Sequence, residues 1–164
     1  MLSHRFAAVR GEGPKMSAST TDGSVIADIV AQLDAATERI LDGDGQGWKD
    51  LVSGQDDVTL LGAYGGHATG RDEVATRFDY VASTYAGAAG TTWRENIACW
   101  VNDDWACVVD VEHHRATLEG GAEPVDFAYR ATHLLRREQG TWKVVLRHAD
   151  PIASFKGPRF AHGT

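Results

Sequence analysis

The second half of the chain consists of four long strand-forming runs separated by three short turn signals. Residues 93–101, 105–117, 125–137 and 141–149 form the runs, and Asn102-Asp103-Asp104, Gly120-Gly121-Ala122-Glu123-Pro124 and Glu138-Gln139-Gly140 divide them. Turns this short join spatial neighbours, so the runs read as an antiparallel meander. Asp150-Pro151 closes it, because proline cannot donate to a strand ladder.

The first half has a different period. Val25, Ile26, Ile29, Val30, Leu33, Ala36, Ile40 and Leu41 recur at three- and four-residue steps, which predicts a helix capped by Asp22 or Ser24 and ended at Gly43-Asp44-Gly45. A short second helix over 46–52 carries Trp48. Residues 58–64 read as a strand, turned by Gly65-Gly66 and returned over 67–70 as a hairpin. Arg71-Asp72-Glu73 opens a third helix, with Val74, Phe78, Val81 and Tyr85 on one stripe. Three helices followed by a long curved antiparallel sheet make an α+β domain with its helices on one face.

Length and charge narrow the classes. The 164 residues suit one domain over 24–155, preceded by a disordered tail over 1–23 and followed by a mobile end over 156–164. Met16 is an alternative start. The net charge of −7 argues against non-specific nucleic-acid or anionic-membrane binding, both of which need a basic face. No apolar run approaches the ~20 residues that span a bilayer, and no signal-peptide core is present, so a cytoplasmic protein is expected. Cys99 and Cys107 lack zinc spacing and read as buried thiols. They face each other if Asp103 centres its turn; a two-residue Asp103-Asp104 loop breaks that pairing. No cofactor is implied.

Alternation assigns faces. On the last strand Trp142, Val144, Leu146, His148 and Asp150 lie together; on the third, Arg130, Thr132 and Leu134 oppose Tyr129, Ala131, His133 and Leu135. On the second, Trp105, Cys107, Val109, Val111 and His113 oppose Asp110, Glu112 and His114. The third strand has no purely polar face. That predicts a homodimer through the convex side of the sheet.

The stretch from Arg130-Ala131-Thr132 through the Glu138-Gln139-Gly140 turn to Trp142 and, six residues on, His148 resembles the closing hairpin of SnoaL-like and ketosteroid-isomerase-like proteins of the nuclear transport factor 2-like superfamily. The resemblance implies a cone-shaped, cystatin-like fold: a strongly curved sheet wrapped around the helices, with a pocket at the open end. It implies that isomerases, cyclases or dehydratases of small, mostly apolar molecules work there. The isomerase base of that superfamily falls near Gly62, in Leu60-Leu61-Gly62-Ala63, which contains no acid; the acidic oxyanion donor falls near Tyr129. A true steroid isomerase is therefore not expected, and a non-catalytic ligand-binding or assembly domain is the alternative.

The expected inner wall is Arg130, Thr132, Trp142 and His148. His148 is the candidate acid or base, or else a structural histidine bonded to Asp150 or Arg130. Arg130 is the candidate oxyanion partner, or else an ion-pair partner of Asp110 or Glu112. Tyr64, Phe78 and Trp100 are candidate ligand contacts alongside Thr132 and Trp142. Asp110, Glu112, His113 and His114 are metal-ligand types, but alternation splits them, so no metal site is expected.

Overall fold

The computed structural model describes residues 20–63, 65–85, 87 and 90–152. The expected tail up to residue 19 and the expected C-terminal end lie outside the described residues. Nine elements follow in order: α1 (Thr20–Leu41), α2 (Gln46–Leu51), β1 (Thr59–Leu61), β2 (His67–Thr69), α3 (Arg71–Ser83), β3 (Thr91–Val101), β4 (Trp105–Ala116), β5 (Val125–Glu138) and β6 (Thr141–Pro151). The first helix starts at Thr20, ahead of the expected start at Asp22 or Ser24.

Helix α1 buries Ile29, Leu33, Ala36, Thr37 and Ile40, the positions one helical face presents. Trp48 of α2 stacks on Phe78 of α3 with ring centroids 5.3 Å apart, locking the two short helices together. Gly65 and Gly66 both take positive φ (87° and 76°) in the tight β1–β2 turn.

The six strands form one curved, unclosed sheet in the order β2-β1-β6-β5-β4-β3. The last four are the expected antiparallel meander, while β1 joins it by pairing parallel with β6. Asn102 closes the β3–β4 turn, accepting from the backbone N–H groups of Asp104 and Trp105 at 3.0 and 2.8 Å. The loop is therefore the two-residue one: Cys107 faces Trp100, and Cys99 faces Val108.

Two irregularities decide which side chains face the helices. In β3, Asn96 pairs with Asp110 but Ala98 with Val109, so Ile97 is an inserted residue. In β6, Leu146 pairs with Leu134 but Val144 with Leu135, so Val145 is inserted. A bulge of this kind shifts strand parity by one. Trp142 and Val144 face the helices before it; Arg147 and Ala149 do so after it. On β4 the inward row is Ala106, Val108, Asp110, Glu112, His114 and Ala116, and on β5 it is Tyr129, Ala131, His133 and Leu135, all buried.

This corrects the expected inner wall. Arg130, Thr132 and His148 lie on the outer face, and only Trp142 lies inside. Alternation fails at β6 because it assumes an unbroken ladder, and at β5 because the face that turns inward carries a histidine and a tyrosine.

Candidate functional site

Inside the cone, β3, β4 and β6 bring four ionisable groups together with one from α1. Glu112 is fully buried and accepts from both terminal nitrogens of Arg147, Nη1 to Oε1 at 2.8 Å and Nη2 to Oε2 at 2.7 Å. Arg94 enters from β3 and donates to Glu112 Oε1 at 2.7 Å, to Asp110 Oδ2 at 3.0 Å and to Thr37 Oγ1 at 3.1 Å. Its Nε pairs with Asp34 of α1. The Arg147 guanidinium lies 4.9 Å from the Trp48 ring.

These contacts set protonation. Burial alone would raise the Glu112 carboxyl; the Arg147 charge, the bonds from His114 and Arg147 and the Arg94 charge outweigh it and hold the group well below its usual range. Asp110 goes the other way. Burial pushes its pKa up to about 6, Arg94 opposes the rise, and Glu112 adds to it. One oxygen of Asp110, Oδ1, has no hydrogen-bond partner among the described residues.

Two histidines complete the cluster. His133 is wholly buried, with Nε2 2.5 Å from Arg147 Nη1 and its ring stacked 5.9 Å from Trp48. Burial first, and the Arg147 charge second, hold its imidazole neutral. His114, only 5% exposed, sets Nε2 3.5 Å from Glu112 Oε2 and lies between the rings of Phe127 and Tyr129 at 5.2 and 5.4 Å. With Nε2–H turned to Glu112, Nδ1 is the acceptor nitrogen, and it has no hydrogen-bond partner among the described residues.

A cavity of about 80 Å³ opens beside this cluster. Its walls are mostly apolar and aromatic (Trp48, Leu60, Phe78, Val81, Tyr85 and Tyr129), and its polar groups are Thr37, His114, Arg147 and Arg77. This is the composition of a small-molecule pocket: greasy walls with a few convergent polar groups. Gly62 and Tyr129, where the resemblance puts an isomerase's base and its oxyanion donor, both line it.

The structure brings few of the sequence candidates to this cavity. Phe78 lines it. Trp142 is buried in the core and takes the Arg137 guanidinium on its ring at 4.9 Å. Trp100 is half exposed on the outer face. Arg130 and His148 are exposed there too, on strands paired so that Thr132 faces His148 and Arg130 faces Asp150. His148 Nε2 lies 3.5 Å from Asp150 Oδ2, the structural contact weighed for it above. Tyr64 lies outside the described residues.

Sequence reasoning passed over Arg94, His133 and Arg147 and set Glu112 and His114 aside. One signal was available: Asp110, Glu112 and His114 recur at period two within an apolar strand, and three ionisable groups on one strand face imply partners opposite. Asp110, Glu112 and His133 each offer a ligand atom within 4.8 Å of one another. That set does not suit a metal ion, because Arg94 and Arg147 already occupy the carboxylate oxygens and would stand against a dication.

The SnoaL-like domain family matches residues 29–153. No curated protein matches the chain. Solved structures share its fold. A candidate dehydratase of the nuclear transport factor 2-like family from Streptomyces avermitilis is 22% identical at a TM-score of 0.68, over 82% of this chain and 98% of that one. A ketosteroid isomerase-like protein from Erwinia carotovora atroseptica is 22% identical at 0.66, over 82% and 99%. A nuclear transport factor 2-like superfamily protein from Salmonella enterica is 15% identical at 0.69, over 87% and 100%. Identities this low establish the shared fold alone.

Proposed function

Because the chain belongs to the SnoaL-like family, we propose that it binds a small, mostly apolar molecule in the cone cavity and moves a proton on it, as an isomerase, cyclase or dehydratase does. The observation that carries this reading is His114: a buried imidazole on the cavity wall, backed by a buried carboxylate at Nε2, with an Nδ1 that has no partner among the described residues. A base is useful where its acceptor nitrogen is free and its other nitrogen is anchored. Glu112 supplies the anchor, fixes the tautomer and stabilises the imidazolium that forms. Arg147 sets positive charge at the wall, where an enolate or alkoxide oxygen would develop. The apolar walls exclude water and strengthen each of these interactions.

Solution NMR in D2O tests the chemistry on a panel of cyclic ketones and β-hydroxyketones. The expected result is deuterium incorporation or water loss catalysed by the protein and reduced about 10²–10⁴-fold in His114→Gln. Ligand retention in native mass spectrometry with no such catalysis would favour the non-catalytic binding alternative.

We also propose a homodimer through the outer sheet face. Trp93, Ile97 and Trp100 are 50–58% exposed there. Cys107, Leu134 and Leu146 continue the row that starts at Trp100. A contiguous apolar surface of this kind is the usual mark of an interface.

A further inference from the structure

We infer that the molecule bound in the cavity carries a carboxylate, and that Arg77 at the cavity rim is the residue that receives it; this rests on the pocket reading above. Arg77 projects from α3 and lines the cavity with His114 and Arg147. Its guanidinium touches only neutral groups among the described residues. Nη2 donates to the Gly65 carbonyl at 3.1 Å, and the Tyr80 ring lies 5.2 Å away. Glu73, one turn earlier on the same helix, does not take it up: that carboxylate accepts from the Thr69 backbone N–H at 3.2 Å.

The contrast with the other inward arginines decides the matter. Arg94 and Arg147 are each paired with buried carboxylates, Arg94 with Asp110 and Glu112 and Arg147 with Glu112. Arg77 faces the same space with most of its five donors uncommitted among the described residues, in a chain whose net charge is −7 and which therefore has acids to spare. No carboxylate lines the cavity among the described residues. The partner for a forked donor is thus missing from the described part of the protein, and a planar ligand carboxylate matches the fork.

Gly62 and Gly66 pass beneath the guanidinium, and a Cβ on either would stand 3.6 or 3.8 Å from Nη2. The bond to Gly65 fixes the guanidinium against this loop without neutralising it. Aromatic walls on one side and a fixed cation at the rim describe an aryl or alicyclic monocarboxylate.

Isothermal titration calorimetry tests this with matched probes, benzoate against benzamide and 1-naphthoate against 1-naphthamide, on the wild type, Arg77→Gln and Arg77→Lys. In the wild type each acid should bind at least about tenfold more tightly than its amide, the size of one charge-assisted hydrogen bond. Arg77→Gln should erase the preference while leaving amide affinity within about threefold, and Arg77→Lys should keep part of it. Thermal melting confirms that both variants are folded. Amides that bind as well as acids, or a preference that survives Arg77→Gln, would overturn the carboxylate inference and leave the pocket reading intact. Failure of all four probes to bind would overturn the pocket reading and this inference together.

Discussion

Arg147 and Glu112 meet as a two-pronged ion pair inside the cone, and Glu112 receives Arg94 as well. One carboxylate therefore ties β4 to both β3 and β6. Removing it leaves two buried guanidiniums without their shared partner, and a buried charge left unpaired costs about 3–5 kcal/mol. Glu112→Ala should lose stability of that order in urea unfolding. Glu112→Gln should lose somewhat less, because the amide oxygen can still accept from one arginine. A loss under about 1 kcal/mol for both would mean the network is not closed in solution.

Asp110 makes a pH-dependent contribution of unusual sign. Its folded pKa is about 6 against an ordinary 3.8, because burial outweighs the help of Arg94. Folding thus favours its protonated form. Its contribution is fully present below the ordinary value and is lost as the pH rises through the folded one, an amount of roughly 3 kcal/mol. Asp110→Asn cannot titrate. The stability of wild type relative to Asp110→Asn should therefore rise as pH falls from 7 to 4. The loss from Glu112 on acidification is common to both proteins and cancels. A constant difference across that range would count against this assignment.

Gly90 leads into β3 beside α1. A Cβ placed on it would stand 2.4 Å from Leu41 Cβ, closer than any real contact. Leu41 is buried and cannot move aside freely. Gly90→Ala should cost about 1–3 kcal/mol by overpacking, measured as a lower urea midpoint with an unchanged slope.

The outer face yields a prediction on assembly. Sedimentation velocity should show a dimer for the wild type and a monomer for Trp100→Asp, with the monomer retaining the wild-type circular dichroism spectrum. A wild-type monomer would contradict the proposed interface.

The elements were legible in the sequence because each rests on local signals. The Gly65-Gly66 turn, the turn at Asn102-Asp103-Asp104 and the 3.6-residue stripe of α1 all occur where their residues predict; only the loop length, and with it the Cys99–Cys107 register, was left open. The candidate site was legible only in fragments. Strand parity correctly grouped Asp110 with Glu112 and His114, and Tyr129 with His133. It could not say which group faces the helices, because the outer face is as apolar as the inner one. It also carried His148 to the wrong side, since the inserted Val145 leaves no sign in composition; both Val144 and Val145 are apolar and both are buried. A buried ionic cluster reverses the rule that charged residues face outward, and only the arrangement of its partners across three strands makes that reversal affordable.

The central claim is that the inner face, at His114, receives the ligand, and the outer face, at His148, does not. Long-range proton–nitrogen NMR of the imidazole rings reads both at once, with signals assigned from His114→Gln and His148→Gln. On titration with indole, a small and mostly apolar probe, the His114 signals should shift, Nδ1 most of all, while those of His148 stay in place. Shifts at His148 with His114 unchanged would contradict the account.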